Sequence, residues 1–214
     1  MSGPDRVGEL CRSCVRSTGA DGAGVALVSS YGVREVLFVT DPVAEAIEAA
    51  QLSLGEGPCI DAAVSRAPVL VSDLADPSEK AGARWPFFTA DMGLHGVRGL
   101  FAFPIRLGSV AVATLELYRR RPGGLRAPEI GEATAAVEDI GGTLLGGDAP
   151  DDRATAPSVQ VHQAAGMVMV QLDVSAAEAL AVLRATAFAE GVPLSDLARD
   201  VVLRRRRLSG ELDA

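Results

Sequence analysis

Lysine is almost absent from this chain: Lys80 is the one lysine in 214 residues, and the other nineteen basic residues are arginine. With abundant alanine, that bias reflects GC-rich coding and says nothing about activity. Positive charge is scarce overall. Asp and Glu number 28 against 20 Lys and Arg, giving a net charge of −8 and a pI near 4.8. A field of that sign excludes a protein that coats nucleic acid through its overall charge and leaves only a local basic patch. There are two histidines, neither beside a plausible Ser or Asp partner, so no nucleophilic triad can be assembled. No apolar run reaches the ~18–20 residues of a membrane span, and MSGPDRVGEL has no apolar core of a signal peptide. The expected location is cytoplasmic, with no membrane contact. Three cysteines, Cys11, Cys14 and Cys59, are an odd number and suit reduced thiols there. No phosphate-cradling glycine loop of the P-loop kind exists, and the glycine-rich GADGAG (19–24) leads into a strand rather than out of one.

What is present is a core. Apolar residues make up 48% of the chain, enough for one large domain or two small ones. Residues 5–17 read as an opening helix. GAGVALVSS (22–30) and REVLFVT (34–40) read as a hairpin around Gly32. DPVAEAIEAAQLSL (41–54) is helical, with Asp41 as N-cap and Pro42 in the first turn. GEGPC (55–59) breaks it, and APVLVSD (67–73) is a strand. Residues 74–94 are irregular or partly helical. GVRGLFAFPIRLG (96–108) and SVAVATLELYRR (109–120) form a second hairpin turning at Gly108-Ser109, and residues 127–145 a long helix. Grouped strands between helices predict an α+β domain with a central antiparallel sheet flanked by helices. The Gly-, Pro- and Asp-rich residues 147–157 then read as a linker.

Candidate sites in this block are sparse. Trp85, Phe87 and Phe101, with Phe88 and Phe103, either line an apolar ligand pocket or are plain core, since Phe101 and Phe103 alternate about Ala102. Cys11 and Cys14 at i and i+3 most simply pack inward. A metal site would need two more ligands, which Cys59 and His95 supply only by a coincidence of folding. No metal, catalytic residue or cofactor is assigned.

The phrases GAGVALV, LGEGPCIDAAVSRAPVLVSDL (54–74), RWP and GVRGLFAFPIRLGSVAVATLELYR (96–119), taken in order, resemble a GAF domain over residues 5–146. The resemblance implies a signal-sensing fold with a small-molecule pocket between the sheet and residues 74–94.

The last fifty-odd residues form a separate unit, 158–208, of three short helical patterns: VQVHQAAGMVMVQL (159–172), SAAEALAVLRATAFAEG (175–191) and PLSDLARDVVLRRRR (193–207). A unit this small holds one thin core and no enclosed catalytic pocket. On the first helix Val161, Ala164, Ala165, Val168 and Leu172 share a side, while Val170 and Gly166 fall on another. Gly166 costs about 1 kcal/mol against Ala, a cost tolerated where a helix or a ligand approaches the backbone. Ser175-Ala-Ala-Glu178 has the form of a capping box, Leu180, Leu183 and Ala187 point one way, and Gly191 ends the second helix.

QAAG (163–166), EALAVLRATA (178–187) and LSDLARDVV (194–202), in order and at matching spacing, resemble the ANTAR domain, a small all-α three-helix RNA-binding module of bacterial transcription antiterminators. The resemblance implies a homodimeric partner of structured RNA stem-loops with hexanucleotide loops. It places His162, Gln163, Ala165, Gly166, Arg184, Arg199, Arg204 and Arg205 on the RNA. The family's usual phrase has Lys where Ala165 stands, and the resemblance implies that Ala removes a contact to a phosphate or a loop base. The run Arg204–Arg207 either compensates or is a solvated helix end at the negative pole of the helix dipole.

Two functions are therefore expected in competition. One is a signal-responsive regulator that binds leader RNA and acts by transcription antitermination. The other is a homodimeric scaffold whose ANTAR-like unit has lost RNA binding. An enzyme using Cys59 is a third, weaker reading, and it requires a thiol of depressed pKa.

Overall fold

The computed structural model describes residues 3–28, 34–145 and 157–208, which divide into two compact units. In chain order the first holds α1 (Gly3–Thr18), β1 (Gly22–Val28), β2 (Arg34–Val39), α2 (Pro42–Leu54), α3 (Pro58–Ser65), β3 (Val69–Val71), α4 (Ala81–Arg84), α5 (Pro86–Leu94), β4 (Gly99–Leu107), β5 (Val110–Arg119) and α6 (Ala127–Leu145). The expected hairpin turn around Gly32 and most of the expected linker lie outside the described residues.

The strands form one five-stranded sheet in the order β2-β1-β5-β4-β3, with β1–β5, β5–β4 and β4–β3 paired antiparallel. Period-two alternation gives each side of this sheet its own core. On one side Leu115 and Leu117 of the central strand stand opposite Val25 and Ala23 of β1 and Phe103 and Phe101 of β4. That apolar face is closed by α1 and α6 through Val7, Cys11, Cys14, Ala133, Ala136 and Ile140. On the other side α2, α4 and α5 pack Ile47, Trp85, Phe88 and Met92 on Val71, Leu100 and Tyr118. There α3 sets Cys59 and Ala62 against Ala102.

Arg119, the last residue of β5, joins the sheet to both helices of the first side. Its guanidinium donates to the Thr18 carbonyl at the end of α1 and to Glu129 in the first turn of α6, and lies 5.6 Å from the Phe101 ring centroid. The side chain and backbone N–H of Arg126, helped by Arg119, hold the Glu129 carboxyl down to about 2.

Asp41 caps α2 as expected. Its Oδ1 accepts from the backbone N–H of Val43 and Ala44 at 2.9 and 3.1 Å, and also from the Tyr118 hydroxyl at 2.9 Å. GEGPC does more than break a helix: Gly55 caps α2, and Pro58 opens α3, a helix the sequence pattern did not announce. Residues 74–94 are also more ordered than expected. They form a 3₁₀ turn (Pro77–Glu79), α4 and α5. The start of α5 is held from a distance in sequence, since Glu56 accepts from the Phe87 and Phe88 N–H groups, both at 2.8 Å. Thus GEGPC and RWP meet in space, a carboxylate from one capping the helix that the other opens.

The second unit holds α7 (Pro157–Leu172), α8 (Ala176–Glu190) and α9 (Leu194–Val202). Its core is Val161, Ala164, Ala165, Val168, Leu180, Leu183, Leu197, Ala198 and Val201. The capping box forms: Ser175 N–H donates to Glu178 at 2.8 Å, and Glu178 N–H to the Ser175 hydroxyl at 3.3 Å. Gly191 takes the left-handed conformation that ends α8. The third helix is shorter than its pattern. It stops at Val202, and Arg204 adopts a φ of +57°, so Arg204–Arg207 do not extend α9; the Arg205 and Arg206 N–H groups both bond the Asp200 carbonyl, so the run begins at the C-terminal end of the helix. The chain instead turns back to bury Leu208, whose carbonyl accepts a hydrogen bond from the Gln171 side chain on α7.

Replacing Asp41 with Ala removes a cap and the acceptor of Tyr118 and is expected to cost about 1–2 kcal/mol in urea unfolding. Partial burial raises the Asp41 pKa, but hydrogen bonds from Thr40, Ala44, Tyr118 and Val43 outweigh it and lower the value below 3.8. Its contribution is therefore complete above the unfolded value and disappears as pH falls through the folded one. An acid titration of wild type and Asp41→Ala should show the two stabilities converging below that point. All three thiols are buried, and burial lifts Cys11 to about 12 and Cys14 to about 11. Native protein at neutral pH is therefore expected to react with a thiol reagent only on unfolding, and fast reaction of any cysteine in the folded state would contradict this packing.

Candidate nucleic-acid interface

In the second unit, the surface of α7 away from the core is not flat. Gln163, Gly166, Met167, Val170 and Gln171 form one wall of an open groove of about 1190 Å³, and Val202, Arg204, Arg206 and Arg207 form the other. Two local facts build it. The return of the chain to Leu208 brings the arginine run across from α7. Gly166 then leaves the α7 wall bare, because a Cβ there would meet nothing within 4 Å. Packing among the described residues therefore does not account for Gly166, which leaves a ligand or a helix of a second copy as candidates for close approach to its backbone.

The expected RNA-facing residues divide. Gln163, Gly166 and Arg204 line the groove, with Gln163 and Arg204 exposed. Ala165 does not face outward: it is 6% exposed and packs in the core, because it shares the inner side of α7 with Val161, Ala164 and Val168. His162 is half-buried, and burial holds its imidazole below the usual pKa, so it is neutral at pH 7. Arg184 is half-buried on α8, and burial lowers its pKa also. Arg199 is exposed but paired with Asp196 at 3.1 Å, and Arg205 pairs with Asp200 at 3.6 Å. Arg206 makes a two-pronged ion pair with Glu190. Exposed pairs of this kind contribute ~0–1 kcal/mol each, so an incoming phosphate can exchange for the carboxylate. Arg206 and Arg207, expected only as part of the arginine run, also line the groove, and Met167, Val170 and Gln171 join it without having been expected there. What sets the α7 residues opposite the run is the turn at Arg204, which the continuous helical pattern hides. The one aromatic of this unit, Phe188, is 66% exposed and lies outside the groove lining.

The expected pocket of the first unit does not assemble. Phe101 is fully buried among α1 and α6, Trp85 is buried on the opposite side of the sheet, and Phe87 is 56% exposed. Alternation along β4 is the reason: Phe101 and Phe103 must share a face, and that face is the one the terminal helices close. Trp85 is a structural anchor. Its indole N–H donates to Asp61 at 3.2 Å, Arg84 lies over its ring at 4.4 Å, and Phe88 meets it edge-on at 6.4 Å. Cys11 and Cys14 are likewise separated from Cys59 by the sheet, so the cysteines do not form one site. The sequence pattern passed over a different group on the α2–α3 side: Glu48, Gln51 and Glu116, all buried, gather around Cys59.

A five-stranded antiparallel sheet in this order, with terminal helices on one face and short helices on the other, followed by a three-helix unit bearing an arginine-walled groove, defines a sensor-type domain joined to a small docking module. Family models agree: a GAF domain model matches residues 4–144 and an ANTAR domain model matches residues 152–202. The chain belongs to the GAF domain family and carries an ANTAR domain after it. No curated protein matches the chain. Among solved structures it is similar to a domain of a two-component sensor histidine kinase protein from Sinorhizobium meliloti 1021, at 17% identity and a TM-score of 0.55, over 71% of this chain and 97% of that one. It is also similar to the GAF domain region of a membrane protein from Geobacter sulfurreducens PCA, at 16% identity and a TM-score of 0.53, over 67% and 93% of the two chains. These likenesses concern the fold of the first unit. GAF domains are signal sensors and ANTAR domains are RNA-binding antiterminator modules, so the chain joins a regulatory input to an RNA-binding output class.

Because nothing lies near a Cβ at Gly166, Gly166→Ala is expected to stabilise α7 by about 0.5–1 kcal/mol. A higher thermal midpoint would show it, and a lower one would mean that the groove wall is packed rather than open.

Proposed function

We propose that this protein is a signal-responsive, cytoplasmic, homodimeric regulator whose ANTAR unit binds structured leader RNA and holds it in a form that prevents the terminator hairpin. One observation carries the reading: Gln163 and the bare backbone at Gly166 face Arg204, Arg206 and Arg207 across an open groove. Single-stranded loop bases are read by polar edge contacts and by stacking on aromatic or guanidinium planes, while phosphates are held by cations. The groove offers the amide of Gln163 for a base edge, guanidinium planes for stacking or phosphate, and Met167 and Val170 for the apolar body of a base. The GAF unit supplies the input, with a small molecule as its expected ligand.

The second reading is an interaction scaffold that has lost RNA binding. The observation that favours it is the carboxylate partners already held by Arg199, Arg205 and Arg206.

Purified full-length protein titrated with a dual stem-loop RNA bearing hexanucleotide loops, against a loop-scrambled control, separates the two. The regulator is expected to prefer the intact loops and to bind more weakly as salt rises. Arg204→Ala and Arg207→Ala should each reduce affinity for all sequences and flatten the salt dependence by about one unit of slope. Gln163→Ala should instead erode loop preference, with a loss of about 1 kcal/mol or more. A folded protein that binds neither RNA, with or without its GAF unit, would establish the scaffold.

A further inference from the structure

We propose that the GAF unit holds one divalent ion of the zinc type in a site formed by Glu48, Cys59 and Glu116. The three residues come from three elements, α2, α3 and β5, and are 1%, 0% and 2% exposed. Their ligand atoms, two carboxylate oxygens and a thiol sulfur, all lie within 4.8 Å of one another. A shared ion with ~2.0–2.3 Å bonds requires donors about 3.5 Å apart, so small rotations of side chains within this cluster suffice.

The surroundings are built for the cluster. Glu116 stands on the central strand opposite Gly24 of β1 and Ala102 of β4. Those small neighbours leave room on the sheet: a Cβ at Gly24 would lie 2.9 Å from Glu48 Oε1. Gln51, fully buried one turn after Glu48, orients two of the three donors. Its Nε2 donates to Glu116 Oε2 at 2.7 Å, and its Oε1 accepts from the Cys59 N–H at 2.8 Å. Such outer partners fix ligand geometry in metal sites. Two carboxylates this close in a dry interior favour a positive guest. The thiol selects which guest: carboxylates alone suit Mg²⁺ or Ca²⁺, and a thiolate shifts preference to Zn²⁺. On binding, Cys59 releases its proton to solvent and becomes the thiolate ligand. Cys11 and Cys14 lie across the sheet and take no part.

The site is independent of RNA binding. Full-length protein is stripped with a chelator, checked for a native circular dichroism spectrum, and titrated with Zn²⁺ alone against a fluorescent competitor. The expected result is one ion per chain and a raised thermal midpoint. Glu48→Gln and Glu116→Gln should each weaken binding at least tenfold, and Gln51→Ala by about 10–100-fold. Co²⁺ loading should give a thiolate-to-cobalt charge-transfer band that is retained in Cys11→Ala/Cys14→Ala and lost in Cys59→Ser. Should Cys59→Ser fail to fold, the wild type and the double variant decide through the same band. A folded, stripped protein that takes up no zinc, a band that disappears with Cys11 and Cys14, or undiminished binding in both Glu→Gln proteins would overturn the assignment.

Discussion

The alternation of side chains along β5 is the constraint on which the first unit depends. Leu115 and Leu117 demand an apolar cover, which α1 and α6 supply, while Thr114, Glu116 and Tyr118 demand a polar one. Because β5 is the central strand of the sheet, neither side can be left to water. Each polar residue needs a place in the opposing layer: Tyr118 donates to the N-cap of α2, and Glu116 meets Gln51 one helix face further on. The two faces of one strand thus divide the unit into a half whose polar groups gather at its edge, around Arg119 and Glu129, and a half with carboxylates in its interior.

Much of this was legible in the chain itself. Hairpin spacing, the Asp41 cap, the Ser175 capping box and Gly191 are local signals, and local signals fix local structure. Alternation in FAFPI and TLELY also gives the two faces of the sheet, but it does not say which face the terminal helices cover. That choice depends on contacts between residues far apart in sequence, such as Arg119 with Thr18. Trp85, Phe87 and Phe101 could therefore be grouped as one pocket on paper and still lie on different sides of a layer. The same limit hid α3, whose short helix is positioned by Gln51 and by packing on Ala102 rather than by its own periodicity.

The ANTAR unit shows the complementary limit. Its helices and core follow from period and caps, yet its groove exists only because the chain leaves the helix at Arg204 and buries Leu208. A run of four arginines continues a helical pattern smoothly in sequence, and nothing local marks the break. The buried methyl of Ala165 is a similar case. Its place in QAAG suggests contact, and its side of α7 decides otherwise.

The pairing of Arg206 with Glu190 and of Arg205 with Asp200 has a bearing on ion uptake as well as on stability. A phosphate that takes Arg206 away from Glu190 sheds its own condensed cations, while the vacated carboxylate gathers cations from solution. The two movements offset each other. Arginines held this way act as an exchanger, so the net flow of ions on complex formation is smaller than the number of guanidinium groups engaged, and selectivity leans correspondingly on the uncharged contacts along α7.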